Sequence, residues 1–512
     1  MWTVDQDDFS FAEKTIVPLC MPRMQHPTNI LWICSDQQRW DTLGCYGNRF
    51  VETPNLDRLS GEGVHFENAF CQSPICTPSR ASFLTGRYPR TTRCRQNGQE
   101  IPEEEILITK ILSDSGYNCE LAGKFHLSPC NPSVCPEMER RINDGYETFH
   151  WSHHSGTGWK TNAYHQWLKS RGETYSERPH PTSPHVSFGP NAEDHQTTWC
   201  AETAIQFMKN QAQTREPWLF SVNFFDPHHP FDAPESLLER YTPILNEIPL
   251  PEYRDGELND KPPWQQREHK QAYGGYPFDQ MTDNDHRLVR ASYFAMCDLI
   301  DQQVGRMLDT LEETGQRDNT LVVYMSDHGE MLGDHGIYLK GAHFYEPAVH
   351  VPLIFSQPAV LIPQQVTDLI ELTDLAPTFL DAVGLPHQTG MQGKSIWQRL
   401  LDGTPGASSR HRMDIYSEYY NAMPADWSSW HPGDKDSSIG DNATMLRTET
   451  HKLIVAHGHN SGEMYDLKND PGEKQNLWNK TEHLVTQADL LQRLTDRMAW
   501  TADPLPERKA IW

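Results

Sequence analysis

Cys76 heads the segment Cys76-Thr77-Pro78-Ser79-Arg80-Ala81-Ser82-Phe83-Leu84-Thr85-Gly86-Arg87. Thr77 suits a helix cap, Pro78 a first helical position and Gly86 a stop, which places the thiol just outside the positive pole of a helix. Unpaired backbone N–H groups there favour a nucleophilic thiolate and a bound anion alike. Arg80, one turn in, can reach back to the same point as a fixed cation. A capped helix with a buried cysteine before it is the plainer reading of this segment alone; the motifs elsewhere in the chain weigh against it.

Asp36-Gln37 and Asp327-His328 each follow a short apolar run. Two carboxylates, an amide and an imidazole brought together would suit a hard divalent cation, whereas a single Asp at such a place is more often a cap or turn residue. Lys124 and His126 stand in Gly123-Lys124-Phe125-His126, and His228 in Asp226-Pro227-His228-His229-Pro230-Phe231, a loop stiffened by two prolines. Lys340 lies on a loop containing Gly333 and Gly336 and could swing its ammonium over a site at a strand end. Each of these is an ordinary surface residue when taken singly. Asn97, in Arg95-Gln96-Asn97-Gly98, is a turn signal first and a substrate contact second.

The elements that must position these groups are visible as hydrophobic patterning. Residues 29–34, 218–225 and 321–325 are predominantly apolar runs, each followed by polar residues, as strands buried on both faces are; residues 119–122 form a shorter strand-like segment. Helical patterns lie between them: one opening at Thr53-Pro54, one over 106–115 stopped by Gly116, one over 285–314 stopped by Gly315, and one over 373–383 ending at Gly384. Alternating strands and helices predict an α/β fold, a large mostly parallel sheet sandwiched by helices, with ligands at the carboxyl ends of the strands. Residues 443–466 read as short strands of a smaller C-terminal antiparallel α+β subdomain, followed by a helix over 481–500. The expected division is an N-terminal arm (1–26), a catalytic α/β domain (27–385), the C-terminal subdomain (386–500) and a tail (501–512).

With 44 basic against 70 acidic residues the chain carries a formal charge of -26, which repels nucleic acid and anionic lipid. An anionic substrate must then be drawn in by a local cluster of cations. No apolar stretch reaches the roughly 18 residues of a membrane span. The first residues, with Asp5, Asp7, Asp8 and Glu13, do not read as a secretory signal, so a cytoplasmic enzyme is expected. The 11 cysteines lack C-x-x-C pairs, and Cys34, Cys119 and Cys297 read as buried free thiols. Two aromatic and imidazole-rich stretches, residues 150–159 and the loop carrying Trp427, Trp430 and His431, suit stacking on sugar or aryl rings, or packing between subunits of a homo-oligomer.

Cys76-Thr77-Pro78-Ser79-Arg80 followed by Leu84-Thr85-Gly86-Arg87 resembles the signature of the sulfatase family, C-x-P-S-R then L-T-G-R. The likeness continues through Asp36, the G-K-x-H segment, the P-H-x-P-F loop, the S-D-H-G segment, and Met464-Tyr465-Asp466-Leu467 with Asp470-Pro471 and Asn476-Leu477. It implies an alkaline-phosphatase-like fold. It also implies that a separate maturation enzyme oxidises Cys76 to formylglycine, whose hydrated aldehyde is the nucleophile. Asp36, Gln37, Asp327, His328 and the modified Cys76 would bind one divalent cation. Arg80 would hold the diol, Lys124 and Lys340 the sulfate oxygens, with His228 protonating the leaving alcohol and His126 assisting release of sulfate. Gln37 and His328 depart from the commonest pattern and resemble the branch with phosphonate monoester hydrolases and choline sulfatases, so manganese competes with calcium. The implied substrate is a small anionic sulfate ester, sulfated carbohydrates among the candidates. A phosphonate monoester or phosphodiester hydrolase is the alternative on this scaffold, and a non-catalytic binder of sulfated ligands with unmodified Cys76 is the alternative of another class.

Overall fold

A computed structural model describes residues 28–156, 158–214, 216–402, 410–421 and 441–510. The N-terminal arm and Trp427, Trp430 and His431 lie outside the described residues. The apolar runs become strands of a nine-stranded sheet. In chain order these are β1 (Asn29–Ser35), β2 (Val64–Phe70), β3 (Asn118–Gly123), β4 (Thr148–Trp151), β5 (Trp218–Asn223), β6 (Thr320–Ser326), β7 (His350–Val351), β8 (Leu353–Ser356) and β9 (Gln364–Glu371). The lateral order is β9-β2-β8-β6-β1-β5-β3-β4, with β7 paired to β2. The block β6-β1-β5-β3-β4 is wholly parallel, and β8 runs antiparallel between β6 and β2.

Both faces of this sheet are covered, which is why the central strands carry no polar alternation. Ile30, Trp32 and Cys34 of β1 enter one hydrophobic core, while Leu31 and Ile33 enter another on the opposite face. The helices that bear on the site and its packing are α1 (Pro54–Gly61), α2 (Cys76–Thr85), α3 (Ile108–Asp114), α4 (Gln196–Gln211), α5 (Asp283–Glu313), α6 (Leu375–Val383) and α7 (Leu484–Trp500), among others. Trp32 packs edge-on against Phe83 of α2 at 5.4 Å and Phe379 of α6 at 4.7 Å, fixing both helices to one face. On the other face lie α4 and α5, whose Phe207, Ile300 and Leu308 share the core of Leu31. A reciprocal box between Thr282 and Asp285 starts α5.

Ile415–Tyr419, Ala443–Arg447, His451–Ala456 and Ser461–Asp466 form the second, antiparallel sheet, β10 to β13 in that order. Leu490 and Leu494 of α7 pack on Leu446, Leu453 and Met464 of that sheet. The Tyr416 N–H donates to Glu371 Oε1 at 2.8 Å, and Arg90 pairs with Glu418 at 2.9 Å, tying it to the large sheet. Among the described residues all cysteines are free thiols, and no helix is long and apolar enough to cross a membrane.

Several expected boundaries shift by a few residues, among them the end of β5 and the start of α6. β5 stops at Asn223 rather than at residue 225; the Phe224 N–H still donates to Cys34 O of β1 at 2.9 Å, and the chain then leaves the sheet. The pattern over 373–383 opens with a 3-10 turn, Leu372–Asp374, before α6 begins.

Gly123 closes β3 with φ +109, and a Cβ there would stand 1.9 Å from Asn223 O. Gly123→Ala is therefore expected to cost about 3 kcal/mol or more through strain and backbone collision. It should also shift Lys124, next in the chain. Urea denaturation measures the first effect, and loss of activity beyond that explained by unfolding measures the second.

Candidate active site

The parallel block delivers most of the singled-out residues to one edge. Cys34 and Ser35 of β1 stand beside Met325 and Ser326 of β6, so Asp36 and Asp327 emerge as neighbours. Cys34 is also level with Asn223 of β5, and Asn223 with Gly123 of β3, which brings Lys124 to the same rim. β2 feeds a loop that ends at α2. That helix begins at Cys76 itself, with Ile75 extended before it, so the thiol is part of the first turn and not outside it. Thr77 is inside the helix rather than its cap. Its N–H donates to Asn97 Oδ1 at 2.9 Å, so the side chain from the exposed turn caps α2 in place of a local residue.

Asp36, Cys76, Asp327 and His328 are all buried, with one ligand atom from each lying within 4.8 Å of the others. Cys76 Sγ is 3.2 Å from His328 Nε2, 3.8 Å from Asp36 Oδ1 and 3.5 Å from Lys124 Nζ. Arg80 forks between the carboxylates, with Nη2 3.2 Å from Asp36 Oδ2 and Nε 2.9 Å from Asp327 Oδ2; its Nη1 donates to Lys124 O at 3.1 Å. Lys124 also pairs with Asp36. Ser79 Oγ donates to Asp327 O at 2.5 Å, and the Gln37 N–H to Asp327 Oδ1 at 3.0 Å.

Lys340 is docked against neighbours rather than free over the site. It is 6% exposed and contacts both Gln37 Oε1 and His228 Nε2. His228 Nδ1 faces His229 O, so the ring donates there and presents the Nε2 lone pair to the lysine. The Gln37 carboxamide is turned to Glu330 as well as to Lys340, and to serve a cation its oxygen would have to leave the lysine. Gln37 (φ 65) and His126 (φ 62) both sit in the left-handed region, which is strained for side-chain-bearing residues and recurs at functional sites. The His126 backbone is pinned by the buried Glu139 carboxylate, which accepts its N–H at 2.8 Å, that of Leu127 at 2.9 Å and the Trp151 indole at 2.7 Å.

Charge at this rim opposes that of the whole chain. Arg80, Lys124 and Lys340 stand against Asp36 and Asp327. Burial pushes the Asp36 carboxyl up, but Lys124 and then Arg80 hold it well below the usual carboxylate range. Burial and Asp36 likewise oppose ionisation of Cys76, yet Lys124, Lys340 and His328 bring its thiol down to about 7. Burial and the nearby lysines keep His126 and His228 neutral, far below the ordinary histidine range. In metal-free chain whose Cys76 is unmodified, thiolate absorbance should rise by one thiol with a midpoint near pH 7 relative to Cys76→Ser. Burial pushes Cys34, Cys71 and Cys94 up to about 12 or beyond, so they stay silent in that window. The thiolate stabilises the fold above the ordinary thiol pKa of 9.0, and that contribution is lost as pH falls through about 7.

The donor set fits one hard divalent cation. Two carboxylates provide oxygen, and His328 Nδ1 is tied to Gly329 O at 2.8 Å, which leaves Nε2 facing the cluster. Three residues that sequence reasoning passed over complete the surroundings. Glu330 accepts from Gln37 and from the Leu332 N–H at 2.9 Å, His229 approaches Gln37 Nε2 at 3.5 Å, and His153 packs on His126. Glu330 and His229 adjoin recognised motifs, which was the available signal. A cavity of about 390 Å³ opens beside Lys340, lined by Trp264, Arg267, Ala342, His343 and Tyr419.

A mostly parallel sheet bearing a cysteine at a helix start, buried cations and a carboxylate–imidazole cluster that could hold a cation is the architecture of an α/β hydrolase. The model of the family described as "Sulfatase" matches residues 28–385, and that of "N-sulphoglucosamine sulphohydrolase, C-terminal" matches residues 333–499. The chain belongs to the sulfatase family, and it is a sulfuric ester hydrolase. Human iduronate 2-sulfatase is 29% identical over 541 residues, covering 89% of this chain and 92% of that protein. Choline-sulfatase from Rhizobium meliloti is 30% identical over 374 residues, covering 70% of this chain and 68% of that protein. Among solved structures, a phosphonate monoester hydrolase from Silicibacter pomeroyi superposes with a TM-score of 0.79 at 26% identity, covering 93% of this chain and 96% of that one.

Proposed function

We propose that the chain, after a maturation enzyme has converted Cys76 to formylglycine, hydrolyses sulfate monoesters of carbohydrate-like alcohols and releases inorganic sulfate. The observation that carries this is the convergence of Cys76, Asp36, Asp327 and His328 within 4.8 Å, with Lys124 Nζ 3.5 Å from the sulfur. Asp36, Asp327, His328 and position 76, joined by Gln37 if it turns from Lys340, would hold one Ca2+ or Mn2+. That ion supplies positive charge that eases ionisation of the attacking hydroxyl and offsets sulfate charge. Arg80 fixes both carboxylates and the orientation of residue 76. Lys124 and Lys340, both buried, take the remaining sulfate oxygens and stabilise the charge on them.

A sulfate that draws Lys340 away frees His228 Nε2, and the anion raises that ring's affinity for the proton it hands to the leaving oxygen. Neutral His126 is suited to take up a proton in the second half-reaction. Asn97 acts first as the cap of α2 and meets substrate only at the rim. Trp264 and Tyr419 supply aromatic surface for the organic part in the adjoining cavity, where Arg267 is paired with Glu268 and Asp441.

Phosphonate monoester hydrolysis is the second reading, favoured by the TM-score of 0.79 to an enzyme of that name. Purified protein should be assayed on aryl sulfate and aryl phosphonate monoesters while mass spectrometry reads position 76. Formylglycine with dominant sulfate turnover is the expected result. Dominant phosphonate turnover moves the reading to the second activity, and unmodified cysteine without turnover, in a host that matures a control sulfatase, overturns both.

A further inference from the structure

A second cluster of ligating atoms lies behind His126. One atom from each of His126, Cys130 and His153 falls within 4.8 Å of the others. His126 and Cys130 share the loop after β3, and His153 follows β4; Gly123 and Trp151 pair at the ends of those adjacent parallel strands. The two imidazoles meet at 4.5 Å between centroids with planes 71° apart. The Nδ1 atoms of both rings are buried and have no hydrogen-bond partner among the described residues. Two orphaned imidazole nitrogens beside a thiol ask for a ligand, since buried polar atoms are ordinarily satisfied. Burial keeps both rings neutral, with Lys124 reinforcing it, so their lone pairs are free.

We propose that His126, Cys130 and His153 form a second metal site, selective for a thiophilic divalent ion such as Zn2+. The chemistry of the two clusters separates their ions: carboxylates with one imidazole suit Ca2+ or Mn2+, whereas two imidazoles and a thiolate suit zinc. Ligand atoms around one tetrahedral zinc stand roughly 3–4 Å apart. Closing the cluster from its outer separation of 4.8 Å therefore needs a shift of about 1 Å.

Binding breaks the Cys130 S–H bond and forms a sulfur–metal bond, and the proton leaves to solvent. Burial and the Glu139 carboxylate hold that thiol high, and the ion's own charge overcomes this. Lys124 opposes a nearby cation, but it is already paired with Asp36, while Glu139 and the new thiolate favour one. Cys130 is only half-buried, which leaves a route in. Zinc here would tie up His126, so on the reading of His126 as a proton acceptor the second site is inhibitory.

The site is tested with and without turnover. In Cys76→Ser chain saturated with Ca2+, one equivalent of Co2+ should give thiolate-to-cobalt absorption, lost in Cys76→Ser/Cys130→Ser and weakened at least ~10-fold in affinity by His153→Gln. In the matured enzyme with excess Ca2+, Zn2+ should inhibit ester hydrolysis, and Cys130→Ser should raise the zinc required at least ~10-fold without changing zinc-free turnover. Absorption that persists without Cys130, no absorption at all, or equal zinc inhibition in both enzymes overturns the proposal. A Cys130-dependent cobalt signal in a chain that hydrolyses no ester supports the site and removes only the functional reading.

Discussion

Cys76→Ala should lower turnover of an aryl sulfate by roughly 10⁴-fold or more while leaving the chain folded, because removing a nucleophile forfeits the concerted action of every group aimed at it. The stability cost should be small, about 1 kcal/mol. Alanine is the best helix former and opens no large cavity where a thiol stood, and α2 remains capped by Asn97 through the Thr77 N–H. What changes is local. Lys124 loses a neighbour at 3.5 Å and His328 one at 3.2 Å, while Arg80 keeps Asp36 and Asp327 in place. The pair of measurements is steady-state kinetics and urea denaturation on the same preparation. Turnover within tenfold of the parent would remove Cys76 from the chemistry.

The strand ends are legible in the sequence because a parallel strand covered on both faces must be continuously apolar, so the first polar residue after it marks the rim. Asp36 and Asp327 lie one residue past the serines that close β1 and β6, and Lys124 directly follows Gly123 at the end of β3. The start of α2 is less so. Thr77-Pro78 is a good local start signal, but tertiary structure supplies a better one in Asn97, 20 residues on, and the helix starts two residues earlier, at Cys76. No periodicity connects two such positions. The docking of Lys340 is hidden for the same reason, since glycines around it suggest an unanchored side chain, whereas Gln37 and His228, distant in sequence, contact it. Residues 150–159 read as a patch of rings; only the β3–β4 pairing shows that His153 faces His126.

Arg80→Ala should be the most damaging change that does not touch the nucleophile. Arg80, Asp36 and Asp327 are 1% exposed or less, so the substitution strands two carboxylates away from water with Lys124 as the nearest remaining cation. Breaking such a buried pair costs about 3–5 kcal/mol near neutral pH. The sign of its pH dependence follows from Asp36. Burial raises that carboxyl and the two cations more than reverse it, so its contribution is present above the unfolded carboxylate value and fades as pH falls below it. The gap between parent and variant should therefore narrow toward acid pH. Added Ca2+ should narrow it at neutral pH, because a divalent ion between the carboxylates replaces the missing charge. Arg80→Lys restores charge but not the planar fork that reaches both carboxylates at once, so it should recover part of the stability and little of the turnover. Urea denaturation at two pH values, with Ca2+ or with chelator, reads all of these. A variant as stable as the parent in chelator would mean that the two carboxylates do not need Arg80, and the charge balance drawn for the site would fail with it.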